Sequence, residues 1–356
     1  MSGELVFEHE TLGQRVLFGT GRARAFLAQE IDRRAASRVM VIASQRETQR
    51  VAPVLEGLDI ALVHDDVAQH VPVENAERAR RAAAGNGIDL LVSIGGGSAT
   101  GLAKAVALTS GLPIVAVPTT YAGSEATDVW GLTENGTKTT GTDRRVLPET
   151  VIYDAGLTLS LPTELSIASG LNALAHCVDS LWAPKADPIN ASLATEGIRA
   201  LARGLPAVKA DPSAVPGRDE TFYAAYLSAV AFASAGSGLH HKICHVLGGR
   251  FDLPHAQMHA IVLPHVLAFN AGAAPDAAAR IAGALETDDA VKGLNGLLAA
   301  VDAPTALKDY GLKESDLGEA AELILPYIPA SNPRQATITN LTDLLHAAWA
   351  GDRADG

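Results

Sequence analysis

Residues 90–104 read LLVSIGGGSATGLAK, an apolar run that ends in three consecutive glycines and continues in a helical pattern. Glycines at such a point let the backbone approach a ligand closely, and the free N–H groups and dipole of the following helix attract phosphate. The spacing is neither the dinucleotide G-x-G-x-x-G pattern nor a Walker loop. The stretch predicts the strand, turn and helix of an α/β nucleotide-binding fold. A glycine turn needed only for tight packing is the alternative.

Short apolar runs and helical patterns alternate on both sides of this motif, as they do in parallel strand and helix units. The predicted strands are 38–42, 60–63, 90–94 and 113–117, and the predicted helices are 46–55, 74–84 and one that runs through 104–108. The segment Glu134-Asn135-Gly136 lies between two Thr-rich runs. It predicts a hairpin, because Asn-Gly tolerates positive φ.

Beyond Leu161-Pro162 the apolar period becomes 3.6, which is typical of helices. The predicted helices are 163–181, 189–203, 218–235, 239–248 and 256–270. The sequence therefore predicts an N-terminal α/β nucleotide-binding domain with a parallel sheet, residues 1–158, and an all-α C-terminal domain, residues 159–356. A cleft between two such domains is the expected ligand site.

Composition limits the partners of this chain. Its 28 basic and 40 acidic residues give a net charge of −12, which disfavours nucleic acid and anionic membrane surfaces. No apolar run approaches the ~18 residues of a membrane span, and the first residues, MSGELVFEHE, lack a signal-like segment, so we expect a cytoplasmic protein without a membrane partner. Cys177 and Cys244 cannot form a disulfide framework and are expected to be reduced and buried.

Six of the 11 histidines lie between residues 240 and 265. His241 and His245 are four apart on a predicted helix, as are Asn172 and His176 on an earlier one, so each pair shares a helix face. With His255, which follows Leu-Pro at the start of another helix, they suit metal binding or proton transfer near neutral pH. The remaining three of the six lack such spacing and are expected to be ordinary core or surface histidines: His240, His259 and His265.

Two other strand ends carry candidate cofactor residues. The segment VPTTYAGSEAT, residues 117–127, places hydroxyls at Thr119, Thr120 and Thr127, which can close over a pyrophosphate or ribose, although an ordinary polar loop is the alternative. Ser44 ends RVMVIAS, where strict NAD enzymes often carry an acidic residue that binds the ribose and repels a 2′-phosphate. We therefore expect both NADH and NADPH to be used.

These separated motifs, in this order, resemble the iron-containing (group III) alcohol dehydrogenase family along nearly the whole chain. The resemblance implies a dehydroquinate synthase-like fold, a dinucleotide-binding domain with a helical domain, and a homodimer. It implies that the cofactor is held by Gly96, Gly97, Ser98, Thr119, Thr120, Thr127 and Lys138. The family's metal-ligand positions fall on Asn172, His176, His241 and His255, and His245 matches the histidine beside the nicotinamide.

Two departures point to one branch of this family. Asn172 stands where the family usually has Asp, and Gly101 stands where Asp usually follows the GGGS run. Together with HVPVE at 70–74 and KTTGTDRRVLP at 138–148, they resemble the maleylacetate reductases, which reduce the carbon–carbon double bond of maleylacetate to give 3-oxoadipate in aromatic-ring degradation. This resemblance implies NADH- or NADPH-dependent reduction of a small dicarboxylate.

Within that reading, the expected catalytic residues are His245, His241, His255 and His176. The expected substrate-binding residues are Asn172, Lys138 and Tyr121, with Arg144, Arg145 and Lys242 as further candidates for the substrate carboxylates. No divalent metal is expected to be required, because Asn172 removes a negative charge from the ligand set. Two alternatives stay open: a metal-dependent alcohol or aldehyde dehydrogenase of the same fold, and a non-catalytic nucleotide-binding protein.

Overall fold

The computed structural model describes residues 6–134 and 137–354. They form two compact units. The α/β unit comprises Leu12–Pro162 and Ser213–Phe222, and the helical unit comprises Thr163–Pro212 and the chain from Tyr223 onward, with the described residues before Leu12.

These units differ from the predicted boundary at residue 158, and two buried contacts explain the difference. The fully buried Arg218 donates to the carbonyls of Thr158 and Leu161 at 2.5 and 3.4 Å, which ties the chain up to Pro162 to the α/β unit. Near the start of the chain, Nδ1 of His9 lies 2.9 Å from a carboxylate oxygen of Asp187, within the helical unit.

The α/β unit contains a six-stranded parallel sheet in the order β1-β8-β5-β4-β2-β3. The strands are β1 (Arg15–Phe18), β2 (Val39–Ile42), β3 (Ile60–His64), β4 (Leu90–Gly95), β5 (Ile114–Pro118) and β8 (Thr150–Tyr153), and β6 (Val129–Glu134) pairs with β7 (Thr137–Thr142) in an antiparallel hairpin. The helices are α1 (Ala23–Arg33), α2 (Gln45–Arg50), α3 (Ala52–Leu55), α4 (Val73–Gly85) and α5 (Gly97–Ser110).

Alternating side chains of the sheet bury both of its faces. Val39 and Val41 pack in a cluster with residues of α1 and α3, whereas Met40 and Ile42 pack in a cluster with residues of α4 and α5. Successive side chains of a strand point to opposite faces, so helices must cover both sides of such a strand. The result is a three-layer α/β/α unit, as the alternating pattern predicted.

The four predicted strands and the hairpin are confirmed, although the turn residues Asn135 and Gly136 lie outside the described residues. Strands β1 and β8 were not predicted. The single helix predicted at 46–55 is wrong: the chain forms α2 and α3 with a break at Val51. Pro53 explains the break, since proline has no N–H to continue a helix and fits only its first turn.

All five helices predicted after Pro162 are present in the helical unit. Its helices are α6 (Thr163–Ser180), α7 (Pro188–Ala210), α8 (Val215–Ala235), α9 (Leu239–Phe251), α10 (His255–Ala271), α11 (Pro275–Ala284), α12 (Ala290–Ala300), α13 (Leu317–Ile324) and α14 (Ile338–Ala350), of which α8 begins in the α/β unit. Among the described residues, no single helix has the length and apolar composition to cross a membrane; only α8 and α9 taken together, bent by 97°, pass such a test.

Gly101 on α5 is predicted to be required for packing. A Cβ there would lie 2.9 Å from Cγ2 of the buried Val71. Gly101→Ala should therefore lower the free energy of unfolding by about 1–3 kcal/mol, the usual cost of overpacking. Gly296→Ala is the matched control, because Gly296 is an exposed α12 position with open space around it, where alanine should be neutral or stabilising.

Urea unfolding of Gly101→Ala, Val71→Ala and the double variant measures this contact. The loss in the double variant should be smaller than the sum of the two single losses, because the truncated Val71 makes room for the new methyl group. Strictly additive losses would show that the contact is not the cause.

Candidate active site

The glycine turn after β4 lies in close contact with the loop that follows β5. Gly95 has a φ of 147°, and Gly96, the residue before α5, would place a Cβ 3.1 Å from Cγ2 of Thr120. Thr119 donates its backbone N–H to the carbonyl of Gly95 at 3.0 Å. Because α5 begins at Gly97, the N–H groups of Gly97 and of the next residue, Ser98, have no acceptor within the helix. Gly96 and Thr120 are thus brought together at the N-terminus of α5, and Thr119 is held there by its bond to Gly95.

A buried lysine that the sequence analysis missed fixes the second loop. Nζ of Lys104, on α5, donates to the carbonyls of Ser124, Thr127 and Val129 at 2.6–2.8 Å and lies 3.1 Å from the hydroxyl of Thr127. Burial lowers the pKa of Lys104 to about 7, an effect that the charge of Glu125 offsets in part. The hydroxyl of Thr127, which was predicted to bind the cofactor, therefore also accepts a hydrogen bond that stabilises the loop.

Other predicted residues occupy different environments. Ser44 caps α2, its hydroxyl accepting the N–H of Glu47 at 3.3 Å. Tyr121 is fully buried in the α/β unit, with its hydroxyl 3.3 Å from that of Thr158 and its ring edge-on to Phe222. Tyr121 thus contributes to core packing, and its predicted substrate-binding role stays a prediction. The side chain of Lys138 lies outside what the structure describes, so its two predicted roles stay predictions.

The predicted histidines converge in the helical unit, on α6, α9 and α10. The rings of His176 and His241 stack with centroids 4.9 Å apart, and those of His241 and His245 are 6.2 Å apart. Phe232 of α8, which the sequence analysis did not identify, lies 4.2 Å from His241 and 4.6 Å from His176. We call the following six rings the imidazole cluster: His176, His240, His241, His245, His255 and His259.

The carboxylate of Asp179, also missed from the sequence, orients His241. It accepts Nδ1–H of His241 at 2.9 Å and the backbone N–H groups of Gly238 and His241 at 2.8 and 3.3 Å, and Nε1–H of Trp182 at 3.2 Å. It therefore also caps the N-terminus of α9. The signal was present, because Asp179 follows His176 by three residues on one face of α6.

The residues of the imidazole cluster differ in their exposure to solvent. His240, His241 and His259 are buried, whereas His245 and His255 are exposed. Burial holds the pKa of His241 well below its usual value, and the neighbouring rings of His245 and His255 lower it further. Burial raises the pKa of Asp179, and its N–H donors offset this in part. At neutral pH the His241 ring is therefore neutral, with Nδ1–H held by Asp179 and a lone pair on Nε2.

His240 and His259 are buried, as core histidines would be, and they also contact the predicted site histidines. Nε2 of His240 lies 3.0 Å from Nδ1 of His259, and the ring of His259 lies 4.3 Å from that of His255. Both belong to the imidazole cluster, and His259 lies four residues after His255, on the same face of α10. His265 is a buried core residue, as expected.

The four family metal-ligand positions offer donors that suit a divalent ion. Oδ1 of Asn172, Nδ1 of His176 and Nε2 of His241 are buried and make no hydrogen bond within the described residues. Imidazole nitrogens are good ligands for first-row metals. An amide in place of a carboxylate leaves the set without negative charge, which weakens its hold on a cation.

Two family models cover most of the chain. The model described as "Iron-containing alcohol dehydrogenase" matches residues 13–155, and the one described as "Fe-containing alcohol dehydrogenase family, C-terminal" matches residues 166–349. The maleylacetate reductase of Pseudomonas sp. (strain P51) is 44% identical over 349 residues, which are 97% of this chain and 98% of that relative.

Solved structures agree with these matches. An iron-containing alcohol dehydrogenase from Corynebacterium glutamicum has a TM-score of 0.97 at 61% identity, covering 99% of each chain. A maleylacetate reductase from Agrobacterium tumefaciens has a TM-score of 0.94 at 40% identity, covering 98% of this chain and 100% of that one. The likeness extends through both units.

Acid should destabilise the helical unit, because its buried neutral rings are protonated in the unfolded chain below the ordinary pKa of about 6.5. Their stabilising contribution is present above that value and is lost as the pH falls. Burial lowers the pKa of His265 to about 4, so His265 alone should account for about 1 kcal/mol of the loss between pH 7.0 and 5.5. Urea unfolding at both pH values should show a smaller fall in His265→Gln than in the wild type, and equal falls would contradict this account.

Proposed function

The chain belongs to the iron-containing alcohol dehydrogenase family, and we propose that it reduces the carbon–carbon double bond of maleylacetate to give 3-oxoadipate, using NADH or NADPH. Curated relatives named maleylacetate reductase are 42–46% identical over at least 95% of this chain. The observation that carries the proposal is the imidazole cluster, in which Asp179 orients His241. The cluster includes the family's metal-ligand histidines, and Asn172 stands in place of the carboxylate that the family usually has.

The chemistry of the substrate agrees with this site. Reduction of an isolated carbonyl forms an alkoxide, whose charge a Lewis-acidic metal stabilises. In maleylacetate the double bond is conjugated with a ketone, so hydride addition to the alkene spreads the charge over an enolate. Hydrogen bonds from protein groups can then stabilise the charge. A proton added to the neighbouring carbon completes the reduction.

His245 is the proton donor in this proposal. Its ring is exposed and can regain a proton from solvent, whereas His241 is buried and presents a lone pair on Nε2 because Asp179 holds its Nδ1–H. His241 and the stacked His176 therefore orient the site and accept hydrogen bonds, while His245 supplies the proton. His255, exposed on α10, is the other candidate donor in the cluster.

The dicarboxylate substrate requires cationic partners against the net charge of −12. Lys242 lies next to His241 on α9 and is only partly exposed. Arg145 is paired with Asp143 at 2.6 Å and Arg144 lies 3.7 Å from Asp128, so both already have anionic partners. Of these three, we therefore favour Lys242 as a carboxylate partner, and Lys138 remains a candidate.

A divalent ion, if bound, would be held by Asn172, His176, His241 and His255 and would polarise the ketone oxygen. We propose that reduction does not depend on this ion. The conjugated substrate lowers the need for a Lewis acid, and the neutral ligand set lowers the affinity for the ion. The second candidate function is a metal-dependent alcohol or aldehyde dehydrogenase. It is favoured by the family description of the 61% identical protein from Corynebacterium glutamicum.

We also propose a cytoplasmic homodimer with no nucleic-acid or membrane partner. The support is the family resemblance, the negative net charge and the two free, buried cysteines, Cys177 and Cys244. Light scattering on the purified protein tests the oligomeric state, with a single mass of twice the chain expected.

Both cofactors should support reduction, with a preference of no more than about a hundredfold, or roughly 2.7 kcal/mol. The uncharged Ser44 neither attracts the ribose hydroxyls as a carboxylate does nor repels a 2′-phosphate, and the exposed Arg46 lies two residues away. Ser44→Asp keeps a good helix cap and should shift preference toward NADH. Steady-state kcat/KM for both cofactors measures this, and a wild-type difference of several orders of magnitude would show that Ser44 does not set the preference.

Chelation should leave activity intact. After dialysis against EDTA, the rate of maleylacetate reduction should remain within about twofold, because no step of the proposed reduction requires a Lewis acid. Asn172→Asp should raise the affinity for added Fe²⁺ or Zn²⁺ without an increase in reduction rate. Loss of activity on chelation, with recovery on adding a divalent ion, would favour the metal-dependent dehydrogenase.

His245→Ala should lower kcat by about 10² to 10⁴, or roughly 2.7 to 5.5 kcal/mol, while the dissociation constant for NADH changes by only a few fold. His346→Ala, at an exposed position on α14, is the control and should keep normal turnover. Near-normal kcat in a His245→Ala protein with an unchanged melting temperature would remove His245 from the mechanism.

A further inference from the structure

Three buried ligand atoms face one another on α9 and α10. Nε2 of His240 lies 3.0 Å from Nδ1 of His259 and 3.7 Å from Sγ of Cys244, and one ligand atom from each residue lies within 4.8 Å of the others. None of the three residues is more than 1% exposed. His240 and Cys244 are four residues apart, so they share one face of α9. Two imidazoles and a thiol therefore converge from two helices.

We propose that His240, Cys244 and His259 supply three of the four ligands of a Zn²⁺ ion that joins α9 to α10, with a neutral fourth ligand such as water. Imidazole nitrogen and thiolate sulfur are the donors that zinc prefers in proteins. In a tetrahedral site with Zn–N bonds of about 2.0–2.1 Å and a Zn–S bond of about 2.3 Å, adjacent ligands are roughly 3.4 Å (N···N) and 3.6 Å (N···S) apart. The observed separations of 3.0 and 3.7 Å differ from these values by only a few tenths of an ångström.

The surrounding charge suits this ion. When zinc binds, the Cys244 thiol releases its proton to solvent, and the two imidazoles coordinate through lone pairs, so the centre carries one positive charge. Asp179 lies nearby, with one carboxylate oxygen 3.4 Å from the backbone N of His240. A charged centre without solvent contact requires such a compensating charge.

The proposed site uses none of the four family metal-ligand positions. Its role is structural, because it fixes α9 against α10, and these helices carry His241, His245 and His255. The ion takes no part in the proposed reduction. Its presence is therefore measured by spectroscopy and metal content, independently of whether the chain reduces maleylacetate.

Cobalt is the probe, because a thiolate bound to Co²⁺ gives a near-ultraviolet charge-transfer band that histidine and amide ligands do not give. The buried site is best loaded during folding, by expression in cobalt-supplemented medium. The purified wild type should show the band with a single thiolate-bound cobalt per chain, and Cys244→Ala should lack it. Cys177→Ala is the matched control, since Cys177 is the other buried cysteine and should not alter the band.

Asn172→Ala separates the two ligand sets and should retain the band. His259→Ala is a second test on the other helix and should lose it, with circular dichroism showing that each variant is folded. A wild type without the band, or a folded Cys244→Ala protein that keeps it, would mean that these residues form only a hydrogen-bonded group. Loss of the band in a folded Asn172→Ala protein would show that the cobalt–thiolate centre depends on a family position, and cobalt bound without the band would place the ion at the family positions; either result would overturn the proposal.

Discussion

The buried carboxylate of Asp179 is the contact on which the imidazole cluster depends. It receives N–H groups from the start of α9, from the indole of Trp182 and from the ring of His241. A buried carboxylate is costly unless it is hydrogen-bonded, so these donors are required for folding as well as for orientation. Gly238 is part of the same constraint, because a Cβ there would lie 2.4 Å from a carboxylate oxygen of Asp179.

The carboxylate of Asp179 determines which nitrogen of His241 carries the proton. With Nδ1–H held by Asp179, His241 must present the lone pair of Nε2, and burial keeps the ring neutral. A neutral acceptor cannot supply a proton to the substrate. In the proposed reduction, proton supply therefore falls to the exposed rings of His245 and His255, which can exchange protons with solvent. The proposal thus gives orientation to a buried histidine and proton transfer to exposed ones, all on α9 and α10.

The sequence predicted what depends on periodicity. Strands β2 to β5 and helices α6 to α10 have apolar patterns of period two or 3.6, and all are present. Strands β1 and β8 have only four residues each. They join the sheet because β1 pairs with β8 and β8 pairs with β5, and no local sequence pattern shows this pairing. Likewise, helix spacing predicted the pairs Asn172 with His176 and His241 with His245. The loop carbonyls that accept from Lys104 and the α9 groups that donate to Asp179 lie 20 to 62 residues away along the chain, so these contacts follow only from tertiary structure.

The uncharged side chain of Asn172 makes the ligand set compatible with the proposed anionic substrate. Asn172 is only 4% exposed, and its Oδ1 makes no hydrogen bond within the described part of the chain. A carboxylate at this position would be a second buried anion on α6, in addition to Asp179, and would need a tightly bound cation to compensate it. Such an anion would also repel a dicarboxylate. The amide keeps the shape of the ligand set and removes both costs, which is the balance required in the proposed reduction, where a conjugated substrate and the proton-donating rings of His245 and His255 replace a Lewis acid.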